Sequence, residues 1–104
     1  MQNRTDGKMQ KLQRLLLQIP RGRVTTYKEI ARMMNTRGYR PIGQLLGSNP
    51  EPDRFPCFKV VKSDGSLGGY ALGEKEKIRR LKVEGIVVRN GKISEFEKRV
   101  YRFD

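Results

Sequence analysis

The chain opens with apolar positions that recur at helical spacing. The intervals between them are three, four and three residues, which puts the side chains on one face of an amphipathic helix. These positions are Met9, Leu12, Leu16 and Ile19. Thr5-Asp6 suits the start of this helix, and Pro20 ends it because proline has no N–H for the next helical hydrogen bond.

Two shorter helices are predicted next. Thr26 forms a capping box with Glu29 and begins the first of them, which Gly38 ends. Pro41 suits the first turn of the second, which Gly47 ends. Their inward-facing residues are Ile30, Ala31, Met34, Ile42, Leu45 and Leu46. Two short helices joined by a glycine turn indicate a helix-turn-helix, and a plain helical hairpin is the open alternative.

The middle of the chain is predicted to be extended. Three prolines make residues 50–56 a stiff connection with Asp53 and Arg54 in solvent. Residues 58–61 form a short strand, which turns at residues 63–66 into a glycine-rich return over 67–70.

A further helix and a hairpin complete the prediction. Residues 74–84 form a helix with acids in its first turn and Gly85 as its C-cap. Asn90-Gly91 marks a hairpin between Ile86 and Ile93, and the last ten residues follow no clear pattern. The expected fold is a single domain over residues 1–104, mainly α with short β-hairpins and similar to a winged helix-turn-helix.

Composition narrows the classes of partner and chemistry. The formal net charge of +12 favours a polyanion, with nucleic acid first, and residues 1–49 carry ten basic side chains against Asp6 and Glu29. A basic surface suited to a hot or salty cytoplasm is the less favoured alternative explanation of this charge. The chain has one cysteine and no histidine, so it forms no internal disulfide and has no imidazole for zinc or base catalysis.

Several short motifs occur together in a familiar order. The chain is similar to the C-terminal domain of O6-alkylguanine-DNA alkyltransferases over about residues 9–88. The residues that carry the resemblance are Ile19-Pro20-x-Gly22-x-Val24-x-Thr26-Tyr27, Ile30-Ala31, Arg40-x-Ile42-Gly43, Asn49-Pro50, Pro56-Cys57-x-x-Val60-Val61 and Gly65-x-x-Gly68-x-Tyr70. Lys77, Leu81 and Glu84-Gly85 continue it.

The resemblance implies a reaction at Cys57. In the family, an O6-alkylated guanine flips out of the duplex and a cysteine thiolate takes the alkyl group irreversibly. Family cysteines are deprotonated through a water held by the next residue, a histidine, where this chain has Phe58 followed by Lys59. Since an ordinary thiol is only a few per cent ionised at pH 7, we expect Lys59 or a helix dipole to favour the thiolate. Glu84 matches the family's distal acid and otherwise serves as a buried hydrogen-bonding group.

The resemblance also implies roles around the flipped base. Arg40 matches the arginine that enters the stack, with a phosphate contact as the alternative, and Tyr27 matches the tyrosine that reaches the base. Tyr70 matches the aromatic wall of the pocket. The N–H of Ala71 would donate to the guanine oxygen, and the carbonyls of Cys57 and Val60 would accept from its amine.

Five further positions are expected to serve DNA, the cysteine loop or the pocket. Thr26, Gly43 and Lys59 are predicted DNA contacts. Asn49 matches an asparagine that braces the cysteine loop, and Lys77 matches a lysine near the pocket, with a turn residue and a solvated charge as the respective alternatives.

Three functions follow from these observations. The first is single-turnover DNA repair by alkyl transfer to Cys57, and the second is a sensor that binds O6-alkylguanine and recruits other repair factors. A helix-turn-helix regulator of transcription ranks last because it leaves the cysteine loop without a purpose. The expected partner is duplex DNA with alkylated guanine, together with a fused or separate repair nuclease. We expect a cytoplasmic, nucleoid-associated monomer that uses no cofactor, metal or membrane.

Overall fold

A computed structural model describes the backbone of residues 4–104 and the side chains of residues 7–104. Its helices are α1 (Arg4–Gln18), α2 (Tyr27–Met33), α3 (Arg40–Gly47), α4 (Glu74–Val83) and α5 (Phe96–Arg99). Its strands are β1 (Thr25–Thr26), β2 (Val60–Val61), β3 (Val88–Arg89) and β4 (Lys92–Ile93), and a 3-10 turn covers Cys57–Lys59.

Helix α1 supplies one side of the larger core. Its stripe of Leu12, Leu15, Leu16 and Ile19 is buried as the spacing predicts. The helix begins at Arg4, so Thr5-Asp6 lies within the first turn rather than before it. This boundary prediction was wrong because residues that favour a cap are equally accommodated in the first turn.

Helices α2 and α3 pack against each other and form the predicted helix-turn-helix. The capping box is confirmed in part: the Thr26 hydroxyl accepts from the Glu29 N–H at 3.1 Å. Helix α2 ends at Met33, well before Gly38, because Asn35 adopts the left-handed conformation at φ 53°. The Thr36 N–H then bonds to the Ala31 carbonyl and closes the last turn.

The strand pairing differs from the prediction. Strand β2 pairs in parallel with β1, with Thr25 opposite Val60, so residues 58–61 and 67–70 form no antiparallel hairpin. Phe58 and Lys59 belong to the 3-10 turn rather than to a strand. The turn at residues 63–66 is confirmed, since the Lys62 N–H donates to the Ser66 carbonyl. The strand prediction failed because a short apolar run does not identify its partner.

The proline-rich connection is a compact turn rather than an extended segment. The N–H groups of Arg54 and Phe55 both donate to the Glu51 carbonyl, and Phe55 is buried. The carboxylate of Asp53 is exposed as predicted, but it also accepts from Arg80 at 2.8 Å. This contact ties the connection to helix α4.

The last third of the chain forms a helix and a hairpin, and its C-terminal residues pack against the first third. Helix α4 and the β3–β4 hairpin agree with the prediction, and Asn90 and Gly91 take positive φ at the hairpin tip. The C-terminal residues, which the pattern left open, pair Val100 with Val24 and bury Phe103 beside helix α2.

Two apolar clusters meet at the 3-10 turn. Cys57 belongs to the cluster that α1, α2 and α3 form, and Phe58 belongs to the cluster that α4 and the hairpin form. The turn is therefore fixed from both sides. The result is a mostly helical domain with short strands. Within residues 4–104, no helix has the length and apolar character that a bilayer span requires.

Candidate functional site

A cavity of about 700 Å³ opens beside Cys57. One border is α3, from Arg40 to Gly47, and the other is the segment between β2 and α4. The lining residues are Tyr27, Tyr39, Arg40, Gly43, Leu46, Gly47, Cys57, Lys62, Ser63, Asp64, Gly68, Gly69, Tyr70 and Ala71. Six predicted site residues thus lie together: Tyr27, Arg40, Gly43, Cys57, Tyr70 and Ala71.

Cys57 lies in the wall of this cavity and is held rigidly. Only 6% of its surface is exposed, and its N–H donates to the Phe55 carbonyl at 2.8 Å. The Asn49 side-chain amide donates to the same carbonyl at 2.9 Å, while its oxygen accepts from the Glu51 N–H. Asn49 therefore lies behind the cysteine loop and outside the cavity, where it can brace the loop.

Two tyrosines form the polar part of the wall. Burial raises the pKa of Tyr27, and the negative charge of an ionised Cys57 raises it by a smaller amount. Burial also raises the pKa of Tyr70, whose hydroxyl has no hydrogen-bond partner in the described part of the chain. Both phenols therefore keep their protons at neutral pH and can donate to a bound base.

Gly68 brings the backbone close to Tyr27. Its φ is +71°, and a Cβ at this position would lie 2.7 Å from the Tyr27 hydroxyl oxygen. The Tyr27 hydroxyl donates to the next carbonyl, that of Gly69, at 3.4 Å. A glycine at this position thus sets the width of the pocket between α2 and the glycine-rich segment.

Lys77 is a buried cation behind the same wall. Its side chain is fully buried, and its ammonium donates to the carbonyls of Val60, Leu67 and Gly69. Burial lowers its pKa to about 8, and the Cys57 thiolate acts in the opposite direction. The interpretation of Lys77 as a solvated charge was wrong. The available signal was its position four residues before Leu81, on the buried face of α4.

Lys59 and Glu84 form a second buried polar group. Lys59 Nζ lies 2.6 Å from Glu84 Oε1 and 3.0 Å from the Pro20 carbonyl, and the Gly22 N–H also donates to Glu84. The Lys59 side chain is 3% exposed. Because its ammonium is enclosed by these acceptors, Lys59 is not available for the predicted DNA contact. Neither residue lines the cavity.

Thr26 and Val60 are also buried away from the cavity. The Thr26 hydroxyl caps α2, and the Val60 carbonyl accepts from Lys77 at 2.8 Å. Direct contacts of these residues with DNA or base stay predictions. Arg40 differs from them, because it is exposed at the first turn of α3 and lines the cavity mouth. Tyr39, Leu46 and Lys62 line the same cavity and were missed, since none lies in a recognisable motif.

The comparisons with known proteins agree with this geometry. Residues 8–86 match the family described as 6-O-methylguanine DNA methyltransferase, DNA binding domain. A bifunctional methyltransferase/endonuclease of Picrophilus torridus is 47% identical over 91 residues, which are 86% of this chain and 30% of that protein. A DNA base-flipping protein of Vibrio parahaemolyticus is 44% identical over 81 residues, which are 74% of this chain and 79% of that protein.

Solved structures share the same fold. Mycobacterium tuberculosis OGT in complex with DNA has a TM-score of 0.69 at 35% identity, over 74% of this chain and 48% of that one. S. pombe Atl1 in complex with damaged DNA has a TM-score of 0.81 at 24% identity, over 99% of this chain and 100% of that one. This second match shows that the two proteins share a fold. The chain spans about a third of the bifunctional relatives. It belongs to the DNA-binding domain family of the 6-O-methylguanine DNA methyltransferases.

Proposed function

We propose that this DNA-repair domain takes an alkyl group from O6-alkylguanine in duplex DNA onto Cys57, once and irreversibly. The observation that carries the proposal is the position of Cys57 in the wall of a base-sized cavity whose mouth is bordered by Arg40 on a helix-turn-helix. A flipped base can reach the sulfur there, while the duplex stays outside.

The transfer is a displacement at the alkyl carbon. The Cys57 sulfur forms a bond to that carbon as the bond from carbon to O6 breaks, and the electron pair passes to the guanine. The proton lost by the thiol is balanced by the proton that the guanine gains at N1. The thioether is stable, so one protein molecule repairs one lesion.

The described side chains supply the remaining requirements. Lys77 is a fully buried ammonium held by three carbonyls at the cavity wall, and its positive charge takes the role that we first gave to Lys59. Tyr27 and Tyr70 donate hydrogen bonds to the base, and the Ala71 N–H at the exposed rim donates to O6. Arg40 enters the duplex at the vacated position.

The other partners follow from the relatives. The Picrophilus protein combines a methyltransferase with an endonuclease, and we propose that this domain also works beside a repair nuclease, fused or separate. We further propose that it acts as a monomer at the nucleoid, in the cytoplasm.

Stoichiometric titration of a lesion duplex tests the transfer. O6-methylguanine is placed in a restriction site whose cleavage it blocks, and the fraction of restored sites is measured against added protein. We expect restoration to rise to one site per protein molecule and then stop, and Cys57→Ser to restore none. Restored sites in the Cys57→Ser protein would contradict the proposal.

A sensor without transfer is the second candidate. Phe58 stands where the family has its histidine, and Glu84 is engaged by Lys59, so the usual relay to the cysteine is absent among the described residues. The Vibrio relative named as a base-flipping protein favours the same function. Tight binding of the lesion duplex with no restored sites would establish it.

A further inference from the structure

The hairpin formed by β3 and β4 lies beyond the residues that match the family, which end at residue 86. It packs on the segment that borders the cavity opposite α3. The Ile93 N–H donates to the Gly65 carbonyl at 2.8 Å, and the Leu67 N–H donates to the Gly91 carbonyl at 3.2 Å. Lys62, Ser63 and Asp64 of that segment line the cavity, and we call them the rim loop.

The contact between the hairpin and the residues that directly follow the rim loop is close and specific. Ser66 and Lys92 form an antiparallel bridge. Phe96, directly after the hairpin, lies so near Gly65 that a Cβ there would be 3.1 Å from its ring. The hairpin is therefore fixed relative to the cavity mouth, and it presents its tip beside the rim loop.

The hairpin exposes two cations. Arg89 and Lys92 flank the tip, both are exposed, and neither forms an ion pair within the described residues 7–104. Asp64 of the rim loop is close enough to be affected by Lys92, but its carboxylate already accepts from the Ser66 N–H at 2.9 Å and from the Ser66 hydroxyl at 2.6 Å. These hydrogen bonds, with a smaller effect of Lys92, hold the pKa of Asp64 below its usual range. A duplex over the mouth would meet Arg40 on one side and this pair on the other.

We propose that the β3–β4 hairpin is a second DNA contact, in which Arg89 and Lys92 bind backbone phosphates that flank the flipped base. The inference rests on the proposed function for the orientation of the duplex over the cavity. With α3 on the other border, the hairpin makes the site a two-sided clamp. Phosphate contacts of this kind add affinity without reading sequence or damage.

Salt dependence of binding tests this proposal on the full chain. Binding constants for an undamaged duplex and for the same duplex with O6-methylguanine are measured from low to moderate salt. In Arg89→Gln/Lys92→Gln, we expect the slope of log K against log salt to fall by about 1 to 2, since each lost phosphate contact removes about 0.9. Affinity should fall by the same factor for both duplexes, which leaves the preference for the lesion unchanged.

A matched variant controls for the loss of charge. Arg21→Gln/Lys82→Gln also removes one arginine and one lysine charge. The two residues lie at the C-terminal end of α4, where Arg21 contacts the Val83 carbonyl, and neither lines the cavity. We expect it to keep the slope of the unmodified protein. Equal slopes in the two double variants, whether lowered or unchanged, would overturn the hairpin contact. Failure of the proposed function would appear separately, as lesion sites that the unmodified protein does not restore.

Discussion

At the scale of single residues, the proposed activation of Cys57 depends on a buried polar group. Cys57 has no histidine beside it, and the nearby cation is Lys77, held by three carbonyls. A buried ammonium is costly unless its donors are satisfied, and here all three are. The lysine therefore joins the glycine-rich wall and β2, and it places a positive charge behind the sulfur.

Lys77 should titrate apart from the other lysines. Burial lowers its pKa from 10.5 to about 8, so we expect one lysine Cε resonance to shift near pH 8 in a carbon-13 NMR titration. Between those two pH values the unfolded chain binds more protons, so this group makes the free energy of unfolding rise with pH. Lys77→Met identifies the resonance. Lysine signals that all shift above pH 10 would contradict this placement.

Gly68 should resist substitution where its neighbour does not. Gly68→Ala places a Cβ 2.7 Å from the Tyr27 hydroxyl at a positive φ, and we expect it to lower the free energy of unfolding by about 2 kcal/mol. Gly69→Ala is the control, because nothing lies within 4 Å of its added Cβ. Urea denaturation measures both. A Gly68→Ala protein as stable as Gly69→Ala would show that Tyr27 does not pack there.

At the scale of elements, one buried ion pair joins three segments. Lys59 in the 3-10 turn bonds Glu84 at the end of α4 and the carbonyl of Pro20, and Glu84 accepts from Gly22. The pair thereby fixes the cysteine turn relative to the loop before the helix-turn-helix. Loss of either residue would leave the charge of the other one buried without its counter-ion, which is destabilising.

Single and double substitutions distinguish this role from simple packing. We expect Lys59→Met to lower the free energy of unfolding by about 3 kcal/mol, because it leaves the Glu84 carboxylate buried without its cation. Adding Glu84→Gln should recover part of that loss, since the remaining group is neutral. Chemical denaturation of the unmodified protein, of Lys59→Met, of Glu84→Gln and of the double variant completes the double-mutant cycle. Additive losses would mean that the two residues do not interact.

The sequence predicted the elements better than their partners. Helices α1, α3 and α4 and the β3–β4 hairpin follow from periodicity and turn residues, and the resemblance located the six residues that share the cavity. The parallel pairing of β1 with β2 was not predictable, because two-residue strands carry no pairing signal. Buried lysines were missed for a similar reason: lysine is rarely buried, and the carbonyls that satisfy Lys77 come from distant positions.

At the scale of the whole molecule, the net charge of +12 favours duplex DNA as a polyanionic partner. In the proposed function, the cavity beside Cys57 receives a base that has flipped out of that duplex. Helix α3 and the hairpin border the mouth from two sides, and Cys57 lies in the wall between them. In the proposed function, nonspecific attraction and recognition of damage should therefore be separable, because they depend on different residues.

Arg40 should separate these two contributions. Arg40→Ala is expected to weaken binding to a lesion duplex by about 1–3 kcal/mol more than binding to an undamaged one, because its side chain would fill the place of the flipped base. Arg37→Ala is the matched control, since Arg37 is exposed and does not line the cavity. Fluorescence anisotropy with both duplexes measures the difference. An equal loss of affinity for the two duplexes would mean that Arg40 only contacts a phosphate and does not fill the place of the flipped base.

The most direct test of the central claim is the intact mass of the protein after incubation with a duplex that contains O6-methylguanine. We predict a gain of about one methylene mass, located on Cys57 by peptide mapping and absent in Cys57→Ala. An unchanged mass, while the protein still binds the lesion duplex in preference to the undamaged one, would contradict alkyl transfer and establish the domain as a sensor of damage.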